Sequence, residues 1–165
     1  MAWTSPKTWT AEVLTSSDLN THLRDNLNEL KDPPSDEYSV NEVADYTTTS
    51  TSFTNVDGTD LSFTFTTNGG DVMVHFHGTV NNGAGTVFLD FTVDAVRHAG
   101  DDGIMRCPSN NTSSMAFTEL VTGLAAGSHT FELQWKVSGG TGTMYAGAAT
   151  AALDLHPQFW VREVS

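Results

Sequence analysis

An antiparallel β-sandwich of about eight strands, preceded by a short helix and an irregular arm, is the fold that this sequence predicts. Three observations carry the prediction. From about residue 51 onward, apolar and polar residues alternate with period two. Turn chemistry interrupts the alternation at short intervals. Before residue 51, the only regular period is helical, and it is confined to one leucine stripe. A chain of 165 residues has room for one ordinary domain plus a short appendage.

Residues 1–14 carry Trp3, Pro6, Trp9 and Val13 without regular spacing. Two tryptophans in an irregular arm are costly to leave in water. The arm therefore predicts a docking segment, or one that folds back on the domain.

A helix is predicted next. Thr15 is a plausible N-cap, and Asp18 three residues later can return a hydrogen bond as in a capping box. Leu14 and Leu19 fit a hydrophobic staple around it. Leu19, Leu23, Leu27 and Leu30 then recur at steps of three and four. Asp32-Pro33-Pro34 ends the run, because proline lacks the amide donor and restricts the residue before it. Isolated helices this short are marginal in water, so the leucine stripe needs a surface to pack on. His22 and Asn26 lie beside it. A polar residue on a helical seam can set register and oligomer state; both could equally face solvent.

Residues 33–50 have the composition of a linker, stiff and polar at Pro33-Pro34-Ser35-Asp36-Glu37 and polar again at Thr47-Thr48-Thr49-Ser50. The β domain is expected over residues 51–165. Its inward faces are predicted to carry Leu61, Phe63 and Phe65; Val72, Val74 and Phe76; and Val87, Leu89, Phe91 and Val93. Met115 and Phe117, then Phe131, Leu133, Trp135 and Val137, and finally Phe159 and Val161 complete them. Asp57-Gly58, Asn68-Gly69-Gly70, Asn81-Asn82-Gly83, Gly127-Ser128 and Gly139-Gly140 mark turns between them. Strands at this spacing build a sandwich or barrel. A jelly roll is the first choice and an immunoglobulin-like sandwich the second, although the usual cysteine pair is missing.

Composition narrows function. Seven Lys and Arg face 20 Asp and Glu, for a formal net charge of −13. Phosphate backbones and anionic membranes both call for clustered Lys and Arg, so neither nucleic acid nor membrane is an expected partner. Cys107 is the only cysteine, which excludes an internal disulfide. The first residues lack an apolar run of secretory type, so no signal peptide is expected. No P-loop, His-Glu-x-x-His, Cys-x-x-Cys or Gly-x-Ser-x-Gly motif occurs, and an enzyme is not expected.

Two stretches carry a family resemblance. Residues 9–27 (WTAEVLTSSDLNTHLRDNL) resemble the N-terminal segment of many small virion structural proteins of tailed bacteriophages. Residues 120–135 (LVTGLAAGSHTFELQW) look like the penultimate-strand motif of jelly-roll domains in phage fibre and decoration proteins, and Phe159–Val164 fits their last strand. The Gly-x-His-x-aromatic pattern also occurs in other β-sandwiches. The resemblance implies a trimeric jelly roll on a virus surface, tethered by residues 1–32. It implies a capsid decoration or head-fibre protein docked on the major capsid protein or another virion protein. A tail-fibre tip or receptor-binding adhesin, and a carbohydrate-binding module with a host glycan as partner, are the alternatives. No cofactor is implied.

The residues expected to dock are Trp3, Trp9, Leu14, Leu19, Leu23, Leu27 and Leu30. His75 and His77 stand two apart on one strand and share a face. They could form half of a metal site or meet symmetry mates, but no third ligand is near. With Tyr145 and Trp160 they are candidate surface or interface residues. Trp160 falls on the face opposite Phe159 and Val161, whereas Trp135 falls with Phe131 and Leu133 in the core. Asp90, Asp94, Asp101 and Asp102 are oxygen-rich, as calcium loops are, but lack the spacing of an EF-hand. No metal is assigned to them.

Overall fold

The computed structural model describes residues 7–8, 10, 13–39, 44–147 and 155–164. A helical segment opens it: α1 (Ser16–Leu19), a π-helical stretch Asn20–Asp25, and α2 (Asn26–Lys31). Pro33 and Pro34 then stop the helix and hand the chain to the first strand.

Twelve strand segments follow among the described residues. They are β1 (Ser35–Ser39), β2 (Tyr46–Thr48), β3 (Thr54–Asn55), β4 (Ser62–Thr67), β5 (Gly70–Asn82) and β6 (Val87–Val93). Then come β7 (Val96–Arg97), β8 (Met105–Cys107), β9 (Asn111–Leu124), β10 (Gly127–Val137), β11 (Gly142–Met144) and β12 (Gln158–Glu163). All pairings are antiparallel.

The segments collapse into eight strand positions. In the first sheet β9 lines one edge of β5 along its length, from Gly70 opposite Leu124 to Asn82 opposite Asn111. β12 and β11 therefore share the other edge end to end, and β1 and β2 lie beyond them. In the second sheet β6 runs along one edge of β10, while β4 and β3 share the other. β8 and β7 share the outer edge of β6. Counting positions along the chain, the first sheet runs 1-8-3-6 and the second 2-7-4-5. That is jelly-roll order and not the immunoglobulin one.

The stretch expected to be a linker departs from its composition. Residues 33–50 contribute β1 and β2, which pair with β12 and β11. Ser-Asp-Glu-Tyr-Ser lacks apolar alternation, but an edge strand needs only a partner's backbone groups and one covered face.

The two inner faces interdigitate as the alternation predicts. Trp135, Phe76, Phe91, Phe131, Phe159, Leu61 and Leu89 are among the largest fully buried side chains. Phe63 and Val93 pack against them only partly buried. Two buried polar side chains, Glu163 and Asn82, are matched by several partners. Glu163 accepts from the Thr67 hydroxyl at 2.8 Å and from the Asn68 amide at 2.9 Å, which ties the last strand to the β4–β5 turn. Asn82 Oδ1 accepts from the amides of Ala84 and Gly85, and its Nδ2 donates to the Gly139 carbonyl at 3.0 Å. Gly85 lies so close to Gly139 that a Cβ there would sit 2.1 Å from the carbonyl oxygen, so only glycine closes this junction.

The two ends of the sandwich differ. The chain enters at one end, where the Glu163 amide donates to the Pro34 carbonyl and the Val164 amide to the Asp71 carbonyl, both at 2.9 Å. By register, the β4–β5, β6–β7 and β9–β10 turns gather at the same end. The opposite end is built from loops over residues 48–52, 82–86, 108–111 and 138–142.

Candidate functional site

The helix begins as its sequence predicts. Thr15 adopts an extended backbone, with φ −95° and ψ 160°, and its hydroxyl accepts from the Asp18 amide at 3.1 Å. Asp18 returns the bond by accepting from the Thr15 amide at 3.1 Å. Lys7 Nζ lies 3.2 Å from the same carboxylate. The Thr15 hydroxyl, its amide and then Lys7 hold the Asp18 carboxyl at a pKa of about 2.

Leu14, Leu19, Leu23, Leu27 and Leu30 are exposed by 41% to 66%, and Val13 before them by 88%. A leucine moved from water to a full contact gains roughly 1.5–3 kcal/mol. The stripe is therefore an exposed apolar surface on an N-capped helical segment. The π-helical stretch Asn20–Asp25 lies inside it. π-turns of this sort widen the local repeat, a departure that the leucine spacing does not reveal. Asn26 is buried and not solvated. Trp3 and Trp9 lie outside the described residues.

His75, His77 and Trp160 come together on the outer face of the first sheet. Register places Trp160 opposite His75, and Gln158 opposite His77. The His75 imidazole stacks on the Trp160 indole with centroids 4.8 Å apart and planes 25° apart. Its Nδ1 lies 2.8 Å from the Thr118 hydroxyl. His77 is 5.9 Å from His75, centroid to centroid, and faces Ala116 on β9. Burial pushes the His75 pKa below its ordinary value, and the charge of His77 adds to the effect.

Further along β5 the outward side chains bond across to β9. The Thr79 and Ser114 hydroxyls are 3.2 Å apart, and Asn81 Nδ2 donates to the Thr112 hydroxyl at 2.6 Å. Tyr145, half-buried, follows the inward Met144, and its amide donates to the Thr79 carbonyl. Trp135 and Phe159 are in the core.

The four aspartates of residues 90–102 go to separate tasks. Asp90 is fully buried; its Oδ1 accepts from the Phe91 and Ala99 amides, and Arg97 Nε lies 3.6 Å from its Oδ2. Burial raises its pKa despite these bonds. Asp94 faces His129. Asp101 and Asp102 meet Lys136, which also lies 4.9 Å from the Phe53 ring. Among the described residues no three His, Cys, Asp or Glu side chains converge as a metal site would require.

No protein-family model and no curated protein matches this chain. Solved structures that resemble it include the VP2 subviral particle of infectious bursal disease virus, 14% identical with a TM-score of 0.35, over 79% of this chain and 38% of that one. The T=1 particles derived from the same virus give 12%, 0.36, 81% and 37%. Dimeric latent PorU of Porphyromonas gingivalis gives 8%, 0.34, 79% and 13%. The chain thus spans well under half the length of each, and at these TM-scores the likenesses bear on neither activity nor location.

Proposed function

We propose that the protein is a non-enzymatic structural component of a virus particle. In this reading it is a trimeric decoration or head-fibre protein of a tailed phage. Residues 1–32 dock onto the shell and the jelly roll projects from it.

One observation carries the reading: a capped helix presents four exposed leucines, with Leu14 exposed just before its cap, immediately ahead of the sandwich. An apolar surface of this kind calls for a partner that covers it. The resemblance of residues 9–27 and 120–135 to tailed-phage virion proteins supports the same assignment. Trimers match the local threefold symmetry of a shell. Docking an acidic chain calls for a receiving surface that supplies positive charge or an apolar groove deep enough to cover the leucines.

The test uses particles assembled without the protein and then reloaded with it. Wild-type protein is expected on the shell in images of whole particles, and the loaded particles should survive heat or low salt better. Leu23→Asp with Leu27→Asp should abolish loading while leaving the β-sheet circular-dichroism signal unchanged. Particles that resist heat equally without the protein, yet no longer adsorb to cells, would move it to the tail tip.

A further inference from the structure

We propose that the outer face of the first sheet, from the Trp160–His75 platform along β5 to Asn81, is a binding track for an uncharged polysaccharide. The proposal stands whether or not the protein belongs to a virus particle.

The platform comes first. Trp160 and His75 stack face to face, with ring planes 25° apart and centroids 4.8 Å apart. The Thr118 hydroxyl fixes the orientation of the imidazole. The ring faces that the stack leaves uncovered, with N–H groups only at their edges, suit the C–H face of a pyranose, whose hydroxyls point outward in the ring plane. Beside the platform, His77 is exposed opposite the small Ala116, which leaves a shallow step in the face.

The track comes second. Side chains on one face of a strand repeat about every 6.8 Å, so His75 to Asn81 spans about 20 Å. That is a length for a chain of sugars and not for a single one. Thr79 and Asn81 are already held by Ser114 and Thr112 across the strand pair. Groups immobilised beforehand lose little entropy when they bind.

Charge decides the class of ligand. The chain carries 20 carboxylates against 7 basic side chains, yet among the described residues the outward positions from His75 to Asn81 on β5 and from Thr112 to Thr118 on β9 hold neither kind. The loops at its far end, residues 48–52, 82–86, 108–111 and 138–142, contain only Ser, Thr, Asn, Gly, Ala and Pro. Among the described residues, Glu37 lies at the β1 edge opposite Trp160, Asp45 accepts from the Ala146 amide beside Tyr145, and Arg162 and Asp71 lie towards the end where the chain enters. An anionic polymer meets the repulsion of −13. A cationic one meets carboxylates only at the track's edges, Glu37 and Asp45, and none among the described residues between them. A protein partner gains little from serine and threonine, which contribute little at interface centres. A neutral, hydroxyl-rich polymer matches hydroxyl, amide and ring in turn.

The experiment is affinity electrophoresis of the full-length protein through native gels containing dextran, laminarin, mannan or galactan, with heparin as the charged control. At least one neutral polysaccharide should retard the protein and heparin should not. Trp160→Ala should weaken the retardation at least tenfold. His77→Ala, which removes only an exposed side chain, should weaken it without changing the thermal midpoint. The proposal is overturned by migration unaffected in all four neutral gels, by retardation that both variants retain, or by equal retardation in heparin. It is also overturned if Trp160→Ala lowers the sedimenting mass, because the face then belongs to an interface between copies.

Discussion

His129 occupies a site in which geometry dictates its charge. Nδ1 lies 2.7 Å from Asp94 Oδ2, and Nε2 lies 2.9 Å from the Ala125 carbonyl oxygen. Both neighbours are acceptors, so both hydrogen bonds form together only when both ring nitrogens carry a proton. The Asp94 carboxylate, then the Ala125 carbonyl, raises the His129 pKa above 6.5. His129 and then the Thr130 amide lower that of Asp94 below 3.8. The signs are opposite. The histidine's contribution to stability is complete below pH 6.5 and lost as pH rises through its folded value. The aspartate's is present above pH 3.8 and lost as pH falls. The clasp between the β6–β7 and β9–β10 turns is thus strongest from about pH 4 to 6.5. A proton NMR titration should place the His129 midpoint above 6.5. His129→Gln should cost at most about 1 kcal/mol at pH 6 and little at pH 9, read from urea midpoints. A second residue carries a larger penalty. Asp90→Ala strands the buried Phe91 and Ala99 amides and should cost about 2–3 kcal/mol in urea unfolding, whereas Asp90→Asn keeps the acceptor. Neither role is legible in the sequence. Alternation places Asp90 on the face away from Leu89 and Phe91, as found, but does not reveal that the Val96–Ala99 segment folds back over that face. Period two names the side of a sheet and is silent on what covers it.

At the scale of elements, local signals were legible and pairings were not. The capping box at Thr15 and Asp18 is a four-residue code, and the structure forms it. Asp18 should accordingly titrate near pH 2 in a carboxyl chemical-shift experiment. Being lowered, its contribution is present above pH 3.8 and lost as pH falls towards 2. Thr15→Ala removes the first-named cause, so it should return the midpoint towards 3.8 and reduce helicity. The long strands announced themselves because one face of each must be apolar: Val72, Val74 and Phe76, or Phe131, Leu133 and Trp135. β1 and β2 did not. Their reason to be extended lies more than 90 residues away, in β12 and β11. The stacking of His75 on Trp160 was likewise half legible. Spacing put each side chain on an outer face, but only the β12–β5 register brings them together.

At the scale of the molecule, the appendage ends earlier than composition suggests. The sandwich includes β1 and β2, so a fragment of residues 33–165 should unfold at the same temperature as the full chain. A fragment of residues 51–165 uncovers the edges of β12 and β11. It should melt at a lower temperature and aggregate, and differential scanning calorimetry with light scattering distinguishes the two. The chain also separates its properties along one axis. The leucine helix precedes the end where Pro34 meets Glu163, and the uncharged loops close the other end. That arrangement has a mechanical consequence. β1 runs antiparallel to β12, with Ser35 opposite Arg162 and Ser39 opposite Gln158. Tension applied through the helix draws β1 lengthwise past its neighbour, so the rungs between them share the load and do not open one at a time. A tether attached in shear holds under a pull that would peel an unzipping hairpin apart.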